Sequence, residues 1–271
     1  MKGEFLSGAE RSRCDLSEKL RVKLTNVSKF FGNLQVVDDL SLEVFEGQFI
    51  CVVGPSGCGK TTFLKMIAGL EQPSSGSILV DGLPPKPESH IMGFVFQEES
   101  LLPWRNVYEN VRFGLEIRRG RGKKIDRITE DIVVSEMIKL VGLSGFEEYY
   151  PDILSGGMRK RVSIARALSV MPSILLMDEP FGDLDAQTRW IMHKELKSIH
   201  ERLGKTVIFV THDVEEAVYL ADVLLVFTKR PATIKKVIPI ELPEPRNKLS
   251  EQFVKYREMI IGLLREELPY I

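Results

Sequence analysis

Cysteine is scarce in this 271-residue chain: Cys14, Cys51 and Cys58 are odd in number and lack the spacing of metal ligands. Neither a disulfide framework nor a zinc site is indicated, and a reducing cytosol fits. Net charge is equally sparse, 37 Lys and Arg against 38 Asp and Glu leaving −1. No broad field draws the chain toward nucleic acid or a membrane surface, so nucleic acid is not an expected partner. Long apolar runs are missing too. Those at residues 174–177 and 223–227 fall far short of the ~20 residues that span a bilayer. Residues 1–20 offer only Phe5-Leu6 where an export signal needs a sustained apolar core, so they read as a polar leader without one. Internal repeats and low-complexity segments are absent. What remains, 44% hydrophobic and 28% charged, supplies core for one large or two small globular domains.

Against these absences, residues 52–62 (VVGPSGCGKTT) carry the G-x-x-x-x-G-K-[ST] phosphate-binding pattern, from Gly54 to Gly59, Lys60 and Thr61. Glycines at this spacing let the loop through Pro55, Ser56, Gly57 and Cys58 curl until successive N–H groups point at one phosphate chain. Lys60 adds a cation for the outer phosphates, and Thr61 a hydroxyl for the Mg²⁺ that bridges them. The helix that begins near Lys60 and runs through Thr62 aims its positive end at the same oxygens. That field and Lys60 are also expected to lower the thiol pKa of Cys58 and make it reactive. The apolar run before the loop (49–53) and the helical spacing after it (62–70) put the motif at a strand-to-helix turn.

Strands are expected at 21–27 and 36–45 before the loop, then at 77–80 and 91–96. Lys29-Phe30-Phe31-Gly32 falls between the first two. The aromatic pair by itself favours core packing over stacking on a base. Helical patterns follow at 107–117, 125–141 and 158–168, making 98–170 a mainly helical insertion. The basic run at 118–124 reads as a solvated loop rather than a site for anionic lipid or nucleic acid. Strands return at 174–178, 206–210 and 223–227, alternating with helices at 186–203 and 214–220. The fold class is therefore α/β, a parallel sheet with helices on its faces and ligands at the carboxyl ends of its strands. Beyond 228 a proline-punctuated extension offers a strand at 234–242. After a Ser250 cap comes a helix with Phe253, Tyr256, Ile260, Leu263 and Leu264 on one face.

Several side chains fall at those strand ends. Asp178 suits the metal side opposite Thr61, and Glu179 suits the attacking water, as general base or orienter. His212 closes the strand at 207–210, where an imidazole can meet the outer phosphate or order the water, although a lone histidine is more often structural. Gln97 closes the strand at 91–96 and means little alone. Ser155-Gly156-Gly157 opens a helix as a second anion-binding turn, which one site does not need.

In this order the motifs resemble those of the ATP-binding cassette ATPases of membrane transporters, over residues 20–230. They comprise Walker A at Gly54–Thr61, Gln97 of the Q-loop, the signature Leu154-Ser155-Gly156-Gly157-Met158, Walker B through Asp178 and Glu179, Asp185 of the D-loop, and the switch His212. The resemblance implies a P-loop NTPase with a RecA-like core, an antiparallel β subdomain and a helical signature subdomain. The cassette would span 21–228, and 229–271 would be a C-terminal extension. It makes Phe31 the ring that stacks on adenine, reversing the packing preference, and adds Gln97 to Thr61 and Asp178 at the metal. Gln97 and His212 join Glu179 in catalysis. Such proteins work as homodimers that sandwich two ATP between Walker A of one protomer and the signature of the other, which accounts for the second anion-binding turn and for Asp185 as a nucleotide-site residue. Residues 97–111, 154–161 and 181–189 look most like importer subunits of the nitrate, sulfonate and taurine group. These sit on the cytosolic membrane face and drive separate permease subunits served by a solute-binding protein. Two positions depart from the wider pattern, Met158 for glutamine and Asp183 for a small residue. A soluble cassette ATPase of translation, DNA repair or cell division is the rival. The single motif set and the lack of a heptad run argue against it.

Overall fold

The computed structural model describes residues 19–87, 91–120 and 126–267. Cys14, residues 121–124 of the basic run and the expected leader up to residue 18 lie outside them. The described chain opens on a hairpin of β1 (Leu20–Phe31) and β2 (Leu34–Phe45) joined at Gly32-Asn33. Strand β1 runs four residues past its expected end at Val27, and Lys29, Phe30 and Phe31 pair with Val37, Gln35 and Leu34. Register shifts between Leu24 and Lys29 break the period-two alternation on which the shorter expectation rested.

The chain continues through β3 (Phe49–Val53), α1 (Lys60–Ile67), β4 (Ser75–Val80) and β5 (Met92–Val95). Next come α2 (Val107–Gly120), α3 (Arg127–Leu140), a single 3₁₀ turn (Pro151–Ile153) and α4 (Gly156–Ser169). The remainder is β6 (Ile174–Asp178), α5 (Ala186–Leu203), β7 (Thr206–Val210), α6 (Val214–Leu220), β8 (Val223–Phe227), β9 (Ile234–Pro239) and α7 (Glu251–Arg265). A three-stranded antiparallel sheet has the order β2-β1-β4, and the central sheet the order β5-β6-β7-β3-β8-β9. Its first five strands are parallel, and β9 closes the edge antiparallel to β8.

Because side chains alternate across a strand, the central sheet separates two cores. Phe49, Cys51 and Val53 face the helices α2 and α4–α7, whereas Ile50 and Val52 face α1 and the antiparallel sheet. Both faces are covered, which is why β3, β6 and β7 read as unbroken apolar runs with every residue buried. The expected boundary at 228/229 runs between two hydrogen-bonded strands, since β9 pairs along β8. From the extension Phe253 and Ile260 enter the main core, with Tyr256, Leu263 and Leu264 packed against it. Arg246 also locks it down, donating from one nitrogen to the carbonyls of Val218, Tyr219 and Ala221 at the end of α6 (2.8, 3.2 and 2.7 Å).

Candidate functional site

Parallel strands deliver their carboxyl ends to one edge, and β3, β7 and β6 are neighbours there. The glycine loop follows β3. Gly59 has φ 125°, and a Cβ there would stand 2.9 Å from Cγ1 of Val36. At Gly54 a Cβ would meet that of Phe227 at 2.9 Å. Packing against the protein itself, as well as room for phosphate, thus demands glycine at both motif ends. Pro55 is half-buried between them, and Ser56 and Gly57 are exposed at the tip. Lys60 is buried, its Nζ donating to the carbonyls of Gly54 (2.9 Å) and Pro55 (3.1 Å) and lying 3.9 Å from Oε1 of Glu179. The lysine is already held over the loop. Thr61 and the half-buried Thr62 occupy the first turn of α1.

At the end of β6, Oδ1 of Asp178 accepts from the Thr61 hydroxyl at 3.1 Å. Burial pushes the Asp178 carboxyl up, opposed by that hydrogen bond and assisted by the neighbouring charge of Glu179. Two hard oxygen donors thus stand side by side, a pair able to contribute to holding a hard cation such as Mg²⁺. Glu179 has φ 42°, a left-handed backbone uncommon outside glycine. Its amide donates to Val210 O at 2.9 Å, and its Oε2 lies 2.9 Å from Nδ1 of His212. The carboxylate and the imidazole therefore form a pair.

Cys58 departs from expectation. Its side chain turns inward, 2% exposed, into the core beneath the antiparallel sheet. Burial raises its thiol pKa by more than Lys60 lowers it. Only its backbone faces the loop interior, where its N–H donates to Pro55 O at 3.2 Å.

Four residues stand apart from this cluster. Phe31 lies at the end of β1 and is 45% exposed, so it is not a core residue, and the ammonium of Lys29 sits 4.7 Å from its ring centre. Gln97 is exposed beyond β5, and among the described residues its side chain makes no hydrogen bond to Thr61 or Asp178. Ser155 caps α4, its Oγ accepting from Met158 N at 3.3 Å, so the helix begins at Gly156 and includes Gly157, two residues earlier than expected. Asp185 caps α5 through Gln187 N and Thr188 N (3.1 and 3.0 Å), and those bonds with Thr188 hold its carboxyl below the usual range.

Sequence reading passed over Lys160 and Arg166. Lys160, 3% exposed on α4, donates to the carbonyls of Phe96 and Gln97 (3.3 and 2.7 Å), and burial pushes its ammonium pKa down. Arg166 donates to Ser100 O and Glu99 O (2.8 and 2.9 Å). Together they bind the segment after β5 to the signature helix. Cations in an amphipathic helix look like surface, and nothing local marks Lys160 as buried or gives Arg166 its distant partners.

A family model described as ABC transporter matches residues 37–182. The chain belongs to the ABC transporter family. An uncharacterized ABC transporter ATP-binding protein of Methanocaldococcus jannaschii is 47% identical over 95% of this chain and 96% of its own length. An aliphatic sulfonates import ATP-binding protein of Bacillus cereus is 43% identical over 89% and 95%. Among solved structures, the ATP-binding cassette MJ0796, dimeric and bound to ADP and Pi in a post-hydrolysis state, superposes with a TM-score of 0.69 at 31% identity, over 81% of this chain and 99% of that one. The fold is thus the cassette expected, and the chain is an ATP-binding, ATP-hydrolysing subunit of the ABC type.

Proposed function

We propose that this ATPase is the peripheral motor of an importer, working as a homodimer on the cytoplasmic face of the cell membrane and energising uptake of a small solute through separate membrane-spanning subunits. The solute class is nitrate, sulfonate, taurine or a similar small molecule, supplied through a solute-binding protein. Support for import comes from the sulfonate-importer relative. No helix among the described residues is long and apolar enough to cross a membrane, which leaves the pathway to partners. Exposed Phe96 and Trp104, 42% and 71% accessible beside Gln97, offer those partners an apolar foothold.

The observation that carries the catalytic reading is the pairing of Thr61 with Asp178 and of Glu179 with His212, with the Lys60 ammonium 3.9 Å from Glu179. Walker A N–H groups and Lys60 bind the phosphate chain, Phe31 stacks on the base, and Glu179 takes the proton of the attacking water. His212, bonded to Glu179, orients that carboxylate and faces the outer phosphate. Thr61 and Asp178, with Gln97, would hold Mg²⁺, whose charge would offset that developing on the phosphates. Ser155 with the N–H groups of Gly156 and Gly157, together with Asp185, serve the nucleotide of the partner protomer.

Glu179→Gln tests this reading. Positioned bases contribute ~10²–10⁴-fold, so turnover is expected to fall at least about a hundredfold while ATP binding persists. The variant should then accumulate as an ATP-dependent dimer on size exclusion. Normal hydrolysis would assign the water to another group.

A further inference from the structure

Directly behind the His212–Glu179 pair lies a buried chain of hydrogen bonds that the reaction itself does not use. His193 on α5 and Glu216 on α6 are 2% and 3% exposed. Nε2 of His193 stands 2.6 Å from Oε1 of Glu216. The other carboxylate oxygen, Oε2, accepts from the hydroxyl of Thr211. That same hydroxyl oxygen accepts from Asp213 N at 3.0 Å, so its proton is committed to Glu216. Asp213 in turn caps α6 through Glu215 N and Glu216 N (2.8 and 3.1 Å). His212 sits between two residues that this network anchors.

The His193 imidazole also reaches the other catalytic segment. Its ring packs against Phe181 with centroids 5.6 Å apart, and Phe181 lies two residues beyond Glu179 in the turn where Glu179 has φ 42°. Trp190 and Tyr219 close around the remaining faces at 6.4 and 6.2 Å. Nδ1 of His193 is buried without a hydrogen-bond partner, an uncommon state for a polar atom that an apolar side chain in this place would avoid.

We infer that His193 is a positioning residue for ATP hydrolysis, bracing His212 through Glu216 and Thr211, and Glu179 through Phe181. This rests on the roles given above to His212 and Glu179. Since the imidazole touches no nucleotide-binding group, its removal affects the orientation of the pair rather than the hold on ATP.

Steady-state ATPase and thermal melting on the full chain test the inference with His193→Met, His193→Gln, Thr211→Val, His212→Ala and the His193→Met/His212→Ala double variant. His193→Met and Thr211→Val are expected to lower kcat about tenfold with KM for ATP unchanged. His193→Gln, whose amide N–H can reach Oε1 of Glu216, should recover kcat to within about threefold of the parent. The double variant should be no slower than His212→Ala, because both changes act on one element. A His193→Met kcat at the parental value, or losses that multiply in the double variant, would overturn the brace while leaving the site reading intact. If His193→Met does not fold, Thr211→Val decides by itself, since it deletes one hydroxyl at nearly constant volume. Parental turnover in His212→Ala would instead remove the role of His212, and the brace with it.

Discussion

A thiol at residue 58 feels two opposed influences, and burial wins over the cation of Lys60. With its pKa raised, Cys58 is a neutral thiol near pH 7, and its 2% exposure bars reagents as well. Maleimide at pH 7 should therefore leave ATP turnover unchanged and Cys58 unlabelled by mass spectrometry until denaturant is added. Rapid loss of activity protected by ATP would restore the reactive thiol that the motif alone suggested. Phe31 behaves in the opposite sense, because the ring that the family resemblance assigns to the base is open to solvent with a cation on one face. Stacking on a base is worth ~1–3 kcal/mol, so Phe31→Ala should raise KM for ATP by about tenfold. Stacking holds ground and transition states alike, so kcat should stay near its parental value. An unaltered KM would deny the ring contact with the base.

At the level of elements, side-chain caps decide where the functional turns end. Ser155, Asp185 and Asp213 each accept from backbone N–H groups at the start of α4, α5 and α6. A cap is a local interaction, which is why the Ser250 cap before α7 was legible, whereas these three turns were read for phosphate chemistry or family resemblance rather than as caps. At the signature turn the contact is from the backbone of Met158 to Ser155, while the Met158 side chain packs against the core. Met158→Gln is accordingly expected to change turnover by less than about tenfold, under ~1.4 kcal/mol of activation. Ser155→Arg, which fills the turn with a long cation, should reduce it far more. Steady-state ATPase with the membrane partners present separates the two, and a hundredfold gain in Met158→Gln would relocate the contacts of this turn.

Across the whole molecule, the extension after β8 stiffens the catalytic edge from behind. Arg246 is 7% exposed and satisfies three carbonyls at the end of α6, the helix that follows His212. Losing a charged donor to buried carbonyls costs about 3 kcal/mol, so Arg246→Ala should lower the melting temperature by roughly 5–10 °C. A melt unchanged within about a degree would show the extension to be an appendage. By itself the sequence determined the phosphate loop, the alternation of strand and helix, the bounds of β6, α5, β7, α6 and β8, and the Ser250 cap. Each follows from chemistry within a few residues: glycine spacing, apolar period, a cap before a helix. Only the tertiary structure decided that β1 continues to Phe31, that β9 joins the central sheet, that the Cys58 side chain is buried, that His193 and Lys160 are buried on distant partners, and that Arg166 reaches the segment after β5. These outcomes depend on segments dozens of residues apart meeting in space. Burial and pairing of that kind leave no trace in a local pattern.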